Sequence, residues 1–207
     1  LPYYPLARGN VLLAEFAGGR YKSVLRRRAA VELHPLPADR AAVRRYVEEL
    51  WLPYNRDLEA AVDRHALATD VDLVAEEVEF RLDRLESAGY RAWVAVDRPT
   101  DTSGRDLDIA TSDDDLVGFV TTDVDEAPTV FDRPDRLVVG DIYVGEPYRG
   151  TGLARRLIDR AAERAREAGC SEVVLDVDVD NERAIGFYEG VGFETYRYRM
   201  SVAVDEL

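Results

Sequence analysis

The chain has 207 residues and a formal net charge of −14, with 46% hydrophobic and 33% charged side chains, enough apolar content to bury a core and too much for wholesale disorder. No run approaches the roughly 18–20 apolar residues of a membrane-spanning helix, and no signal-peptide layout opens the chain. The single Cys170 excludes an internal disulfide and a thiolate zinc cluster, so the composition predicts a soluble cytoplasmic protein without a membrane partner.

Forty-one acidic residues face 27 basic ones, and Lys22 is the only lysine among the latter. A field of that sign repels phosphates and argues against a nucleic-acid partner. Many aspartates, many arginines and almost no lysine resemble the surface chemistry of a halophilic microbe. In molar salt the Debye length falls to about 3 Å, which screens the self-repulsion of such a surface.

Residues 1–28 differ in composition, with basic residues in excess, and are read as an N-terminal extension: a mobile arm, a foreign remnant or an added strand. A single domain is expected over 29–207. Ala30–Leu33 reads as a short strand closed by His34-Pro35. Asp39 is a candidate N-cap for a helix carrying Ala42, Val43, Tyr46, Val47, Leu50 and Trp51 at helical spacing, which Pro53 should end. A short helix is expected at Leu58–Val62. A longer one over Val71–Ser87 has Val74, Val78, Leu82 and Leu85 on one face. Arg91–Val96 alternates as a strand, and Asp97–Asp115, with seven aspartates, suits a solvated loop. Leu116–Thr122 and Leu137–Val144 follow as strands.

The chemistry lies between Leu137 and Phe193, which reads strand, glycine turn, helix, strand, short helix, strand. The turn is Arg149-Gly150-Thr151-Gly152-Leu153-Ala154, and the helix after it is amphipathic through Leu153, Leu157, Ile158, Ala161, Ala162 and Ala165. Such a turn aims backbone N–H groups at one point, and its glycines let an anion approach, pyrophosphate being the usual occupant. A P-loop would require a lysine that is absent here. A dinucleotide fingerprint would require a third glycine where Arg155 stands, and too few residues follow Val179 for a doubly wound sheet.

Arg149-x-x-Gly152-x-Ala154 resembles the acetyl-coenzyme A signature of the GNAT superfamily of N-acetyltransferases. The run from Asn181 through Ala184, Phe187-Tyr188 and Gly192-Phe193 is similar to that family's second signature. The resemblance covers all but the first 28 residues. It implies an α/β fold, with a mostly antiparallel central sheet, a splayed parallel strand pair and flanking helices. It also implies an enzyme that moves the acetyl group of acetyl-CoA to a primary amine by direct attack, with no metal.

By the same resemblance, the backbone of Arg149, Gly150, Thr151, Gly152, Leu153 and Ala154 would hold the pyrophosphate. Asp141, Ile142, Tyr143 and Val144 would pair with the pantetheine arm where this strand splays from Val173–Val179. Asn181 would lie beside the arm, and Tyr188 would protonate the departing thiolate. Arg155 or Arg156 would reach the 3′-phosphate. Trp51, Tyr54 and Asn55 would line the acceptor pocket, and Asp141 or Glu146 would act as base, Asp141 at a bulge beside Gly140 or steering the amine. Small-molecule or peptide amines are the expected partners, and a homodimer is possible in the family.

Plainer readings compete. Tyr188 at helical spacing fits core packing, and Asn181 fits a helix cap. Asp176, Asp178 and Asp180 imitate an EF-hand opening, but Asn181 replaces the required glycine. The alternation predicts a strand with one wet face instead. His34, His65 and Cys170 read as structural. The rival function is a non-catalytic acyl-CoA sensor of the same fold; transfer of a longer acyl chain is a third.

Overall fold

The computed structural model describes residues 11–12, 29–62, 64–99 and 106–207. Of the expected extension only Val11–Leu12 falls within them. The rest of 1–28, and 100–105 of the aspartate-rich loop, lie outside the described residues.

Strands β1 (Val11–Leu12), β2 (Ala29–Pro35), β3 (Arg91–Pro99), β4 (Asp115–Asp125), β5 (Arg136–Val144) and β6 (Glu172–Leu175) form one sheet. Its order is β1-β5-β4-β3-β2, with β6 also paired to β5. β2 to β5 run antiparallel, whereas β1 and β6 are both parallel to β5. Both faces are covered, so β3 is buried almost throughout. Trp93 and Ala95 join one core, while Ala92, Val94 and Val96 join the other, as the period of two requires.

Helices α1 (Arg40–Tyr46), α2 (Leu52–Ala61) and α3 (Leu73–Glu86) pack on one face; α4 (Leu153–Glu167) and α5 (Glu182–Gly190) pack on the other. The expected α/β architecture is therefore present. Asp39 caps α1, accepting hydrogen bonds from the amides of Ala41 and Ala42 at 3.0 and 2.9 Å.

Five expectations are corrected. Pro53 does not end the first helix. A π-helical turn over Val47–Trp51 joins α1 directly to α2, and Pro53 sits in the first turn of α2, where a missing N–H costs little. The short helix expected at Leu58–Val62 is the tail of that α2. The strand expected over Val173–Val179 stops at Leu175. The strand expected after the short helix does not form: Tyr196, Tyr198, Met200 and Val202 are all exposed, and although Arg136 of β5 reaches the Tyr196 hydroxyl at 3.5 Å, no strand pairing is made there. The aspartate-rich loop is also less solvated than expected. Ile109 is buried, and Arg45 donates to the carbonyls of Ile109 and Ser112 at 2.9 and 2.8 Å.

Candidate active site

Where β5 meets β4 the register slips: Val120 pairs with Ile142 but Thr122 with Val139, which leaves an extra residue on β5. This is the bulge expected beside Gly140. Across it the Asp141 amide donates to Thr121 Oγ1 at 2.8 Å. β6 follows β5 only from Arg136 to Val139 and then leaves it. The splay therefore opens beside Asp141, Ile142 and Tyr143.

Asp141 is 5% exposed and belongs to a buried charged cluster that sequence reasoning missed. Arg81 of α3, 3% exposed, reaches its Oδ2 at 3.0 Å and also donates to Glu77 Oε1 and to the Tyr90 hydroxyl. The Arg81 guanidinium also lies 5.8 Å from the Tyr46 ring centroid. Burial works against the Arg81 charge, but Tyr46, Tyr90, Glu77 and Asp141 around it overcome that and hold its pKa well above the ordinary value. Burial pushes Glu77 and Tyr90 up, with Arg81 opposing in both cases. One signal was available in the sequence. Arg81 lies three residues after Val78 and four before Leu85, so it falls on the apolar stripe of α3.

Of the expected acceptor-pocket residues, the fold brings Tyr54 to Asp141, its hydroxyl 3.4 Å from Oδ1. The Tyr54 ring packs edge-on against Phe119 and tilted against Tyr143. Asn55 turns away: its amide donates to the Trp51 carbonyl at 2.8 Å and its oxygen meets His65 Nε2 at 3.0 Å. Trp51 is half-buried beside the same core.

On the other side of the splay, α5 presents Tyr188. Its ring packs against Phe187 and Phe193, with centroids 5.6 and 5.5 Å apart. The hydroxyl is buried yet has no hydrogen-bond partner among the described residues. An unsatisfied buried hydroxyl is costly, and its presence suits a group waiting for a ligand. Burial pushes its pKa well up, and the charge of Asp141 adds to the effect, so the phenol stays protonated. Asn181 caps α5, accepting from the Ala184 amide at 3.2 Å.

The glycine turn lies at the C-terminal end of β5. Gly150 and Gly152 take φ of 74° and 87°, a region that glycine enters freely. Gly152 is the N-cap of α4 and brings no side chain to cap it, so the first-turn amides of Leu153, Ala154 and Arg155 lack intrahelical acceptors. Among the described residues a Cβ at either glycine would meet nothing within 4 Å, so both glycines border open space. The Arg149 side chain is not in that space. It is buried, donating to the Val144 carbonyl at 3.0 Å and to Asp57 at 2.8 Å, and it staples the turn to α2. The Thr151 hydroxyl bonds the Tyr148 carbonyl at 2.6 Å. Arg155 is exposed and paired with Asp159 at 2.9 Å, while Arg156 donates to the Val31 carbonyl at 2.7 Å. Glu146 lies in the short 3₁₀ turn after β5.

Gly152→Ala isolates the backbone requirement, because the new methyl has room. It should lower stability by about 1–2 kcal/mol, the cost of a left-handed conformation, or very roughly 2–8 °C in Tm for a domain of this size. Thermal unfolding checks this, and an unchanged Tm would show that the turn can relax.

Residues 72–193 match the acetyltransferase (GNAT) family model. The chain belongs to the GNAT family. The match takes in α3, Arg81, the glycine turn and Tyr188. Among curated relatives, the N-alpha-acetyltransferase 30 of Saccharomyces cerevisiae is 36% identical over 55 residues, 27% of this chain and 31% of the relative. That of Schizosaccharomyces pombe is 32% identical over 91 residues, 43% and 57% of the two chains. The chain thus spans from about a third to somewhat over half of the length of these two relatives. Among solved structures, the aminoglycoside N-acetyltransferase AAC(6')-Iy in complex with CoA superposes with a TM-score of 0.59 at 13% identity, over 87% of this chain and 98% of that one. At that identity the likeness is one of fold.

Proposed function

We propose that this GNAT chain moves the acetyl group of acetyl-CoA to a primary amine by direct attack within a ternary complex. The observation that carries this reading is the Tyr188 hydroxyl, buried and without a partner among the described residues, on the side of the splay facing the charged Asp141 cluster. The open turn at the start of α4 supports it, since amides without acceptors at a helix N-terminus suit a pyrophosphate.

In this reading the amides of 149–154 take the pyrophosphate, and the edge of Ile142, Tyr143 and Val144 beyond β6 takes the pantetheine amides in place of β1. Asn181 lies beside that arm. The amine nitrogen forms a bond to the thioester carbonyl carbon, the carbon–sulfur bond breaks, and the sulfur leaves with the electron pair. Tyr188 gives its proton to that sulfur. The same burial that raises the phenol raises the pKa of a thiol leaving there, so donor and acceptor stay about as closely matched as in water. An amine that arrives protonated must first lose one proton to expose its lone pair, and the ammonium formed on attack must lose a second. Asp141 is already engaged by Arg81 and Tyr54, so we assign it the electrostatic role of attracting and orienting a cationic amine, with water carrying the proton away. Tyr54 and Trp51 form the near wall of the acceptor pocket.

A peptide N-terminus, a polyamine and an aminoglycoside are the amines to test, and the chain's acidity suits all three. The same acidity supports adaptation to molar salt, in the cytoplasm of a salt-accumulating cell. The test is release of free CoA thiol from acetyl-CoA with each amine, run from dilute buffer to molar KCl. Amine-dependent release, with Tm rising as KCl is added, is the expected result. Binding of acetyl-CoA without turnover of any amine would favour the sensor instead. A Tm indifferent to KCl would remove the halophilic reading.

A further inference from the structure

A strand has two edges, and one edge of β5 is occupied by β4 along its whole length. The other edge is shared. β6 holds Arg136 to Val139, and beyond the splay β1 pairs in parallel with β5, Val11 opposite Ile142 and Leu12 opposite Tyr143. α2 and α5 flank this short strand, so it lies in the cleft between the two elements that carry Tyr54 and Tyr188. These are the positions at which an acyl-CoA arm would pair.

We infer that the chain's own N-terminal segment, through Val11–Leu12, is an intramolecular competitor of acetyl-CoA for the edge of β5. The inference rests on the acetyl-CoA reading given above. An exposed strand edge takes any extended backbone that offers amides in register, whether peptide or pantetheine. The two occupants cannot share Ile142 and Tyr143. The connection is long enough for release and return. β1 and β2 are four strand spacings apart, about 19 Å, and the 16 residues between them could span roughly 50 Å. Tethering keeps the strand at a high effective concentration, yet a two-residue ladder makes few hydrogen bonds. Docking is therefore weak enough for acetyl-CoA to win, and it raises the apparent Kd by the ratio of docked to open chain, about five- to tenfold.

The test is calorimetric titration of CoA into the full chain and into its Val11→Pro/Leu12→Pro variant, which cannot donate to the β5 edge. The variant should bind CoA about fivefold or more tightly, and a synthetic peptide of residues 8–17 added to it should weaken CoA binding again. Equal Kd values would overturn the inference and leave the acetyl-CoA reading standing. Weaker binding by a folded variant would overturn it too, because the segment would then help to hold the ligand. Binding by neither protein would overturn the acetyl-CoA reading itself. If the proline variant fails to fold, Val11→Gly/Leu12→Gly, which raises the cost of ordering the strand, should shift the Kd in the same direction by less.

Discussion

Tyr188→Phe should lower kcat by about a hundredfold or more, the range of a lost general acid, while KM for acetyl-CoA stays within a few-fold. The two side chains differ by one oxygen, and that oxygen has no partner to lose among the described residues. The ring contacts with Phe187 and Phe193 survive the change. Removing an unsatisfied buried hydroxyl should leave stability equal or higher, by up to about 1 kcal/mol. Higher stability with lower turnover is the pattern of a residue kept for chemistry rather than packing. Steady-state kinetics with a thermal scan reads both. Wild-type turnover in a correctly folded Tyr188→Phe protein would remove the general-acid role and return Tyr188 to the core.

Arg81→Met should be the most destabilising of the changes considered. It leaves Asp141 and Glu77 buried without their cation, and breaking a buried pair in this way costs about 3–5 kcal/mol. At roughly 2–4 °C per kcal/mol for a domain of this size, Tm should fall by about 6–20 °C. The loss comes from stranded carboxylates, so it is reversible by removing them. Arg81→Met combined with Glu77→Gln and Asp141→Asn should recover most of the Tm, since replacing a whole buried ionic cluster by neutral groups is often close to neutral. If the triple variant melts no higher than Arg81→Met, the damage lies in packing around Tyr46 and Tyr90 and not in electrostatics.

Much of the site was legible because it is local. Gly150 and Gly152 announced a turn with positive φ, and the stripe from Leu153 to Ala165 announced the helix after it. Asn181 and Asp39 stand where caps are needed, and Gly140-Asp141 stands where the bulge forms. Each of these signals spans only a few residues, and the physics behind it spans no more. Arg81 shows where such reading stops. Its place on the apolar stripe of α3 was visible, but its partner Asp141 lies 60 residues away.

The sequence by itself determined the order of elements from β2 to α5, the family signatures, the glycine turn with its positive φ and the helix that follows it. Periodicity, capping and φ preference act within a turn or a strand. Tertiary structure alone decided how long the strands run and what borders them. The alternation at Asp176 to Val179 reads as a strand, yet β6 ends at Leu175 because pairing needs a neighbour and not only a pattern. Likewise Pro53 reads as a stop, yet a π-helical turn carries the chain through it into a packed α2. Val11–Leu12 carries no strand signal of its own, and only the open edge of β5 gives it a partner. Long-range pairing and buried charge depend on which distant residues meet, and a chain's local chemistry does not encode that until it has folded.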